Sequence, residues 1–173
     1  MLTGDRVRLR AIEPSDAVFL LRWHTDPEVM RWLEDPYPPS LAALTRQLEE
    51  RKPDSYESLT LMIDDLDGRT IGICALRGAE PETGNATLDI YLGEKDTWGQ
   101  GHATDAMRVI CRYGFQKMRL HRIGLTVVAE NTAARRVYEK VGFVEEGRQR
   151  ESFRRDGRWH DQIVMGLLEG ELR

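Results

Sequence analysis

The apolar residues of this chain follow two kinds of spacing, which together predict an ordered series of strands and helices. Short apolar or alternating segments predict seven strands, at residues 6–12, 59–63, 70–76, 86–93, 122–129, 143–154 and 159–168. Helical spacing predicts helices at residues 14–23, 28–33, 40–51, 103–117 and 131–140. This order favours a mixed α/β domain around one sheet, with a single βαβ crossover at its centre.

Turn and capping residues mark several boundaries between these elements. Asp26 followed by Pro27 is typical of a helix N-cap with proline at the first helical position. The proline-rich segment 35–39 predicts a rigid loop. Asp67-Gly68 and Asp156-Gly157 each separate two predicted strands, where these dipeptides favour hairpin turns.

Composition narrows the class of protein and its partners. A chain of 173 residues has the length of one domain, which we take as residues 1–173. A net charge of −4 and a pI of about 5.6 disfavour nucleic acid and anionic membranes as partners. No segment resembles a signal peptide or a membrane span, so we expect a cytoplasmic protein. The context of Cys74 and Cys111 indicates buried free thiols, and the four histidines lack metal-ligand spacing, so no metal is expected.

The segment 97–104 is the first candidate for chemistry, because it joins a predicted strand to a predicted helix through Gly99 and Gly101. Glycines at this position let the backbone approach a ligand and turn several N–H groups toward it. The helix dipole adds partial positive charge at the same point. The segment therefore indicates either a phosphate-binding loop or an ordinary glycine turn.

The helix after strand 122–129 supplies a second candidate. Asn131, Ala134, Tyr138 and Val141 are spaced to share one helix face. One interpretation is that Tyr138 packs the helix against the sheet while Asn131 only caps it. The other is that this face contributes to a site together with the glycine segment.

Taken together, these two segments resemble the GNAT superfamily of acyl-CoA N-acyltransferases. The resemblance is carried by Trp98–Thr104 and Asn131–Phe143, and the order of elements from Arg6 to Leu168 also agrees. Further segments resemble the branch that contains ribosomal-protein N-terminal acetyltransferases and spermidine acetyltransferases: Trp23–Val29, Glu146-Gly147 and Arg155–Asp161. The resemblance implies a GNAT-like fold with a mostly antiparallel central sheet and flanking helices.

The resemblance also implies a binding mode for acetyl-CoA. Strands 86–93 and 122–129 would splay apart and hold the pantetheine arm, while backbone N–H groups from Gly99 to Thr104 bind the pyrophosphate. The implied cofactor-binding residues are Ile90, Tyr91, Leu92, Trp98, Gly99, Gln100, Gly101, His102, Ala103, Thr104, Asn131, Ala134 and Tyr138. Trp98 departs from the family, whose loop often begins with Gln or Arg. Similar proteins are often homodimers, and the charged segment 148–155 is either a solvated edge strand or part of such an interface.

Acetyl transfer to an amine requires a base, an oxyanion donor and an acid. Tyr138 is the candidate acid, since a phenol can protonate the departing thiolate. A backbone N–H near Tyr91 or Leu92 is the candidate oxyanion donor. Asp89 and Glu151 are candidate bases, although either carboxylate is also compatible with a solvated surface position.

The acceptor is expected to be a primary amine, either a protein N-terminus or a small cationic amine. Its candidate contacts are Trp23, Glu28, Trp32 and Tyr37, which would bind an ammonium group through cation–π and ionic contacts. Trp23 and Trp32 also fit a core role on amphipathic helices. Two other functions stay open: a non-catalytic acyl-CoA sensor with the same fold, and a dinucleotide-binding unit with Glu130 as its ribose acid.

Overall fold

The computed structural model of the chain describes residues 1–34, 37 and 39–173. Its strands are β1 (Leu2–Thr3), β2 (Val7–Ala11), β3 (Ser58–Asp65), β4 (Thr70–Glu80), β5 (Asn85–Leu92), β6 (Arg122–Val128), β7 (Val144–Arg155) and β8 (Arg158–Leu168). Its α-helices are α1 (Ala17–His24), α2 (Leu41–Glu49), α3 (His102–Gln116) and α4 (Thr132–Val141). The mixed α/β architecture predicted from the sequence is confirmed.

All eight of these strands form one sheet, in the order β1-β2-β3-β4-β5-β6-β8-β7. Every neighbouring pair is antiparallel except β5 and β6, which are parallel and joined by α3. The predicted crossover therefore lies at the centre of the sheet. The turn at Asp156-Gly157 has positive φ at both residues, +51° and +75°, as the tight hairpin that joins β7 to β8 requires.

The structure differs from the predicted elements in two places, and a third prediction is not covered by the described residues. The predicted helix at residues 28–33 is a short 3₁₀ segment, Val29–Trp32, because so few residues cannot offset the cost of starting an α-helix. The two-residue strand β1 was not predicted, since its apolar pattern is too short to detect. The predicted rigid loop at 35–39 includes residues outside those that the structure describes.

The helices cover opposite faces of the sheet. Successive residues of β3 point to opposite faces, so Ile63 packs with α3 residues while Met62 packs with α1 and α2. Trp23 of α1 lies in this second cluster and is 1% exposed. A side chain at Gly93 would collide with the Trp23 ring, because a Cβ there would lie 2.1 Å from it.

The central feature for function is a gap between β5 and β6. Their pairing extends only from Asn85 with Arg122 to Thr87 with Gly124. Beyond that point β5 continues along β4 and β6 continues along β8. Residues 88–92 and 125–128 are therefore separated, which leaves strand edges facing one another without hydrogen bonds between them.

Candidate active site

The loop before α3 has the geometry of an anion-binding turn. Gly99 and Gly101 have φ angles of +73° and +87°, values that favour glycine. No side chain of the described residues caps α3, and the N–H of Asp105 donates to the carbonyl of Gly101 at 3.0 Å. The first N–H groups of a helix have no acceptor inside it, so those of residues 102–104 face outward at the positive end of the dipole.

Side chains within the loop attach it to the end of β5 and to the turn that follows this strand. The indole N–H of Trp98 donates to the carbonyl of Leu92 at 3.0 Å, and the side-chain amide of Gln100 donates to the carbonyl of Asp96. The His102 ring lies 3.3 Å from the carbonyl of Thr97. Trp98, the departure from the family pattern, therefore attaches the loop to the end of β5 through its indole.

Glu94, which lies between the end of β5 and the glycine loop, is a second anchor of this region. Its carboxylate accepts a hydrogen bond from the indole of Trp23 at 2.7 Å and from Arg69 at 2.6 Å, and it also pairs with Arg22. Burial opposes ionisation of this carboxyl, but the three hydrogen bonds together lower its pKa. A charged Glu94 thus holds α1, the β3–β4 turn and the end of β5 together.

Arg6 is a residue of this region that the sequence analysis missed. The buried carboxylate of Asp105 accepts the backbone N–H of Arg6 at 2.7 Å and that of Val7 at 3.1 Å. This holds the β1–β2 turn against the start of α3. A Cβ at Gly101 would lie 3.4 Å from Nε of Arg6, so the exposed guanidinium lies beside the glycine loop. Arg6 and Asp105 are far apart in sequence, so only the folded structure shows that they are neighbours.

The edge of β5 presents amide groups to the gap. The N–H of Gly93 donates to the carbonyl of Ile71 on β4 at 2.9 Å. Because hydrogen-bonded pairs alternate along antiparallel strands, the amide of Tyr91 also points at β4. The amides of Ile90 and Leu92 point into the gap instead. Of the two expected oxyanion donors, only Leu92 therefore faces the gap.

One face of α4 borders the gap on the side opposite the edge of β5. Asn131 begins the helix, with its side-chain oxygen accepting the N–H of Ala134 at 3.3 Å, and Gly142 ends it with a φ of +117°. Tyr138 is half-buried, with its ring centroid 6.1 Å from that of Phe143. Burial, reinforced by the negative charge of Asp89, raises the pKa of Tyr138 to about 12. The phenol is therefore protonated at neutral pH.

A cavity of about 310 Å³ lies on the sheet face covered by α1 and α2. It is lined by Ile12, Leu20, His24, Gln47, Leu48, Arg51, Thr60, Ile73, Cys74, Ala75, Arg77, Asp89, Ile90 and Tyr91. Its β5 residues, 89–91, lie within the segment that has no partner in β6. The cavity and the gap therefore share one wall. Of these lining residues, only Asp89, Ile90 and Tyr91 were predicted from the sequence as site residues.

Several polar side chains that line the cavity already form hydrogen bonds or ion pairs within the protein. Nε of Arg77 donates to Asp89 at 2.8 Å, and Arg51 pairs with Asp54. Nε2 of His24 lies 2.9 Å from the Tyr91 hydroxyl. Asp89 thus combines three properties: it lines the cavity, it pairs with a guanidinium, and its charge reaches the Tyr138 phenol.

The four residues predicted to contact the acceptor do not line this cavity. Trp23 belongs to the core, because burial and its bond to Glu94 leave it no surface for a substrate; the substrate interpretation of Trp23 is corrected. Glu28 is exposed and pairs with Lys95 at 3.0 Å. Trp32 packs against His160, with ring centroids 5.4 Å apart, and Tyr37 is 79% exposed.

Glu151, the other candidate base, lies on the edge strand β7. In the sheet order this strand is three positions from β5. Glu151 is exposed, has a φ of +52°, and its backbone N–H donates to Asp161. It interrupts the register with β8 and does not line the cavity. Asp89 is therefore the better placed of the two carboxylates.

Comparison with known proteins places this geometry in a family. Residues 6–144 match the family described as the acetyltransferase (GNAT) domain. The chain belongs to this family. The resemblance carried by the two segments is confirmed, and this acetyltransferase family uses acetyl-CoA.

Relatives agree over nearly the whole length. The uncharacterized N-acetyltransferase p20 of Bacillus licheniformis is 28% identical, over 98% of this chain and 97% of its own. Spermidine N(1)-acetyltransferase of Vibrio cholerae serotype O1 is 29% identical, over 97% and 96% of the two chains. The crystal structure of spermidine N-acetyltransferase from Vibrio cholerae, in complex with CoA and spermine, has a TM-score of 0.86 at 28% identity; the match covers 95% of this chain and 96% of that one.

Two further findings concern other classes of partner. None of the helices in the described residues is both long enough and apolar enough to span a membrane. Over the same residues, no three side chains of the metal-binding types come together in a cluster.

Proposed function

We propose that this enzyme transfers an acetyl group directly from acetyl-CoA to a primary amine bound in the cavity beneath α1 and α2. The observation that carries the proposal is the wall shared by the gap and the cavity. Residues 89–91 face both, so a thioester entering between β5 and β6 would meet an acceptor on the α1–α2 side. Asp89 and Tyr138 interact electrostatically at the same point.

In this proposal the cofactor is held mainly by backbone groups. The N–H groups from Gly99 to Thr104 bind the pyrophosphate, with the Arg6 guanidinium beside them. The pantetheine arm lies in the gap, where Ile90 and Leu92 present amides. Asn131 contributes its side-chain NH₂, because its oxygen already caps α4.

The chemistry follows from the groups at the shared wall. The neutral amine attacks the thioester carbonyl, and the Leu92 N–H stabilises the resulting oxyanion. The nitrogen loses one proton to Asp89 as the C–N bond forms, and Asp89 later releases this proton to solvent. The C–S bond then breaks, and the sulfur takes a proton from the Tyr138 hydroxyl, which regains one from solvent. The products are the N-acetylated amine and CoA thiol.

The proposed acceptor is a primary amine, either a protein N-terminus or a small cationic amine. The family branch to which the sequence is similar supports both, and the relatives named as spermidine acetyltransferases support the second. The experiment is release of CoA thiol from acetyl-CoA, measured over polyamines, aminoglycosides, amino acids and basic peptides, with acetyl-CoA binding followed by calorimetry.

The outcomes of this experiment separate the functions. Turnover of an amine supports the proposal and identifies the acceptor class. Binding of acetyl-CoA without turnover of any amine would favour a non-catalytic acyl-CoA sensor. No binding of acetyl-CoA would contradict the proposal.

A further inference from the structure

We infer that the acceptor is a small amine that also carries a carboxylate, rather than a polyamine. The inference rests on the proposed function, because it takes the cavity beneath α1 and α2 as the acceptor site. Three properties of this cavity support it: its charges, its free hydrogen-bond donors, and the position of its apolar wall.

The charges of the cavity do not suit a polycation. Among its described lining residues, Arg51 and Arg77 are cationic, and Asp89 is the one carboxylate. Asp89 already accepts a hydrogen bond from Nε of Arg77 at 2.8 Å. A polyamine brings two or more ammonium groups, each of which loses solvation unless an anion pairs with it. This wall offers one anion for them, and a guanidinium competes for it.

The hydrogen-bond donors of the cavity exceed its acceptors. A guanidinium carries five N–H groups in a planar fork that matches a carboxylate. Arg77 reaches Asp89 through Nε, and Arg51 reaches Asp54 through one terminal nitrogen. Asp54 itself also accepts the backbone N–H of Thr60 at 2.9 Å, which holds this arginine–aspartate pair against β3. Each guanidinium therefore retains donors for a ligand carboxylate.

The remainder of the lining fits the rest of such a molecule. Ile12, Leu20, Leu48 and Ile73 provide an apolar wall for a hydrocarbon side chain. A volume of about 310 Å³ is at the small end of ligand cavities, which suits a molecule of amino-acid size. The amine would lie toward Asp89 and the gap, with the carboxylate toward Arg51.

The aromatic residues first considered for an ammonium group support the same conclusion. Trp23 is buried and donates to Glu94, and Trp32 packs on His160. Neither lines the cavity, so they form no cation–π cradle there. Tyr91 and His24 are the aromatic lining residues, and each contacts the other.

The test compares the amino acids that have a primary amine, all of the common twenty except proline, each with its own α-amide, alongside spermidine, by CoA thiol release. An α-amide keeps the amine and the side chain but lacks the α-carboxylate. Its amine is also the weaker base and hence more often neutral, so chemistry alone favours the amide. We expect at least one amino acid to exceed its amide in kcat/KM by about 10-fold, and to exceed spermidine, as one charge-assisted contact would allow.

Arg51→Gln tests the residue assigned to the carboxylate, with Arg51→Lys as the variant that keeps the charge without the fork. Arg112→Gln, at an exposed position on α3, is the matched control. We expect Arg51→Gln to raise the KM of the preferred amino acid about 10-fold and to leave its amide unchanged. Arg51→Lys should recover part of the loss, and unfolding curves of all three variants verify folding.

The outcomes distinguish this inference from the proposed function. Higher kcat/KM for spermidine, for amides or for peptides than for every amino acid would overturn the inference and leave the proposed function standing. An equal loss for amino acid and amide in Arg51→Gln would also overturn it, because Arg51 would then act only on the fold. If acetyl-CoA binds and no amine is acetylated, both fail together.

Discussion

The two sides of the proposed site are built in different ways. The cofactor side consists of backbone: a glycine turn, the first turn of α3, and the exposed edge of β5. The acceptor side consists of side chains from α1, α2, β4, β5 and the segment after α2, such as Arg51, Arg77 and Asp89. A backbone site recognises what all acyl-CoA molecules share, whereas a side-chain site can vary between relatives without disturbing the fold.

This difference shows where specificity can change. The glycine loop must keep its φ angles to expose its N–H groups, so its sequence is constrained by geometry. The cavity lining is constrained only by packing and charge balance. Two relatives with this fold can therefore share a cofactor and differ in acceptor, and the following predictions test that division.

The largest expected effect is at Tyr138, where the two sides meet. Tyr138→Phe removes the proton donor and keeps the ring, so we expect kcat to fall about 10²–10⁴-fold while the Kd for acetyl-CoA stays unchanged. Initial rates of CoA thiol release give kcat, and calorimetry gives the Kd for acetyl-CoA. A kcat within twofold of the parent enzyme would remove Tyr138 from the mechanism.

A smaller effect is expected from the glycine turn. Gly101→Ala places a Cβ at a φ of +87°, which costs about 1–2 kcal/mol, and points it toward Arg6. We expect the Kd for acetyl-CoA to rise about 10-fold or more, because a Cβ in the glycine loop hinders the close approach of its backbone N–H groups to the pyrophosphate. Gly68→Ala is the matched control, since Gly68 has the same φ in the β3–β4 turn with open space around it.

Both variants should lose similar stability, because the backbone strain is the same in each. Only Gly101→Ala should weaken acetyl-CoA binding. Equal Kd values for the two would contradict a phosphate site at residues 99–104.

Arg6 tests whether a side chain adds to the backbone site. Arg6→Gln is expected to raise the Kd for acetyl-CoA about 10-fold, with kcat at saturation unchanged, because it removes a charge-assisted contact to phosphate. Acetyl-pantetheine lacks the pyrophosphate, so its KM should be unaffected. Arg8→Gln, exposed on β2, is the control. An equal loss with both acyl donors would indicate a structural role for Arg6.

Substitution of Trp23 tests whether this buried residue contributes only to stability. Its effect on catalysis should be the smallest of the four. Trp23→Phe loses the hydrogen bond to Glu94 and leaves a small void, so we expect about 1–2 kcal/mol less stability in urea unfolding. The acceptor KM should stay within twofold. A large rise in KM at unchanged stability would return Trp23 to the substrate contacts.

The sequence predicted the fold well because local signals set it. The Asp156-Gly157 turn, the Asn131 cap and the glycines around α3 each act within a few residues. The cavity was not predictable in the same way. Arg51 and Arg77 become neighbours of one space only after α2 packs on the sheet, and their sequence contexts resemble ordinary solvated positions.

Trp23 also shows that a sequence pattern cannot separate a core residue from a substrate contact. Its helix position fits both a core and a substrate role, and only packing on Gly93 and the bond to Glu94 decide between them. Arg6 reaches the glycine loop through Asp105, which is 99 residues away in sequence. Such contacts depend on tertiary structure that no short pattern encodes.

The most direct test of the account is a crystal structure of the protein with CoA bound. We expect the pyrophosphate to lie against the N–H groups of residues 99–104, and the thiol to lie between β5 and β6, within reach of Tyr138 and open to the cavity lined by Asp89. A CoA molecule whose thiol lies outside the gap, or on the side of the sheet away from Asp89, would contradict it.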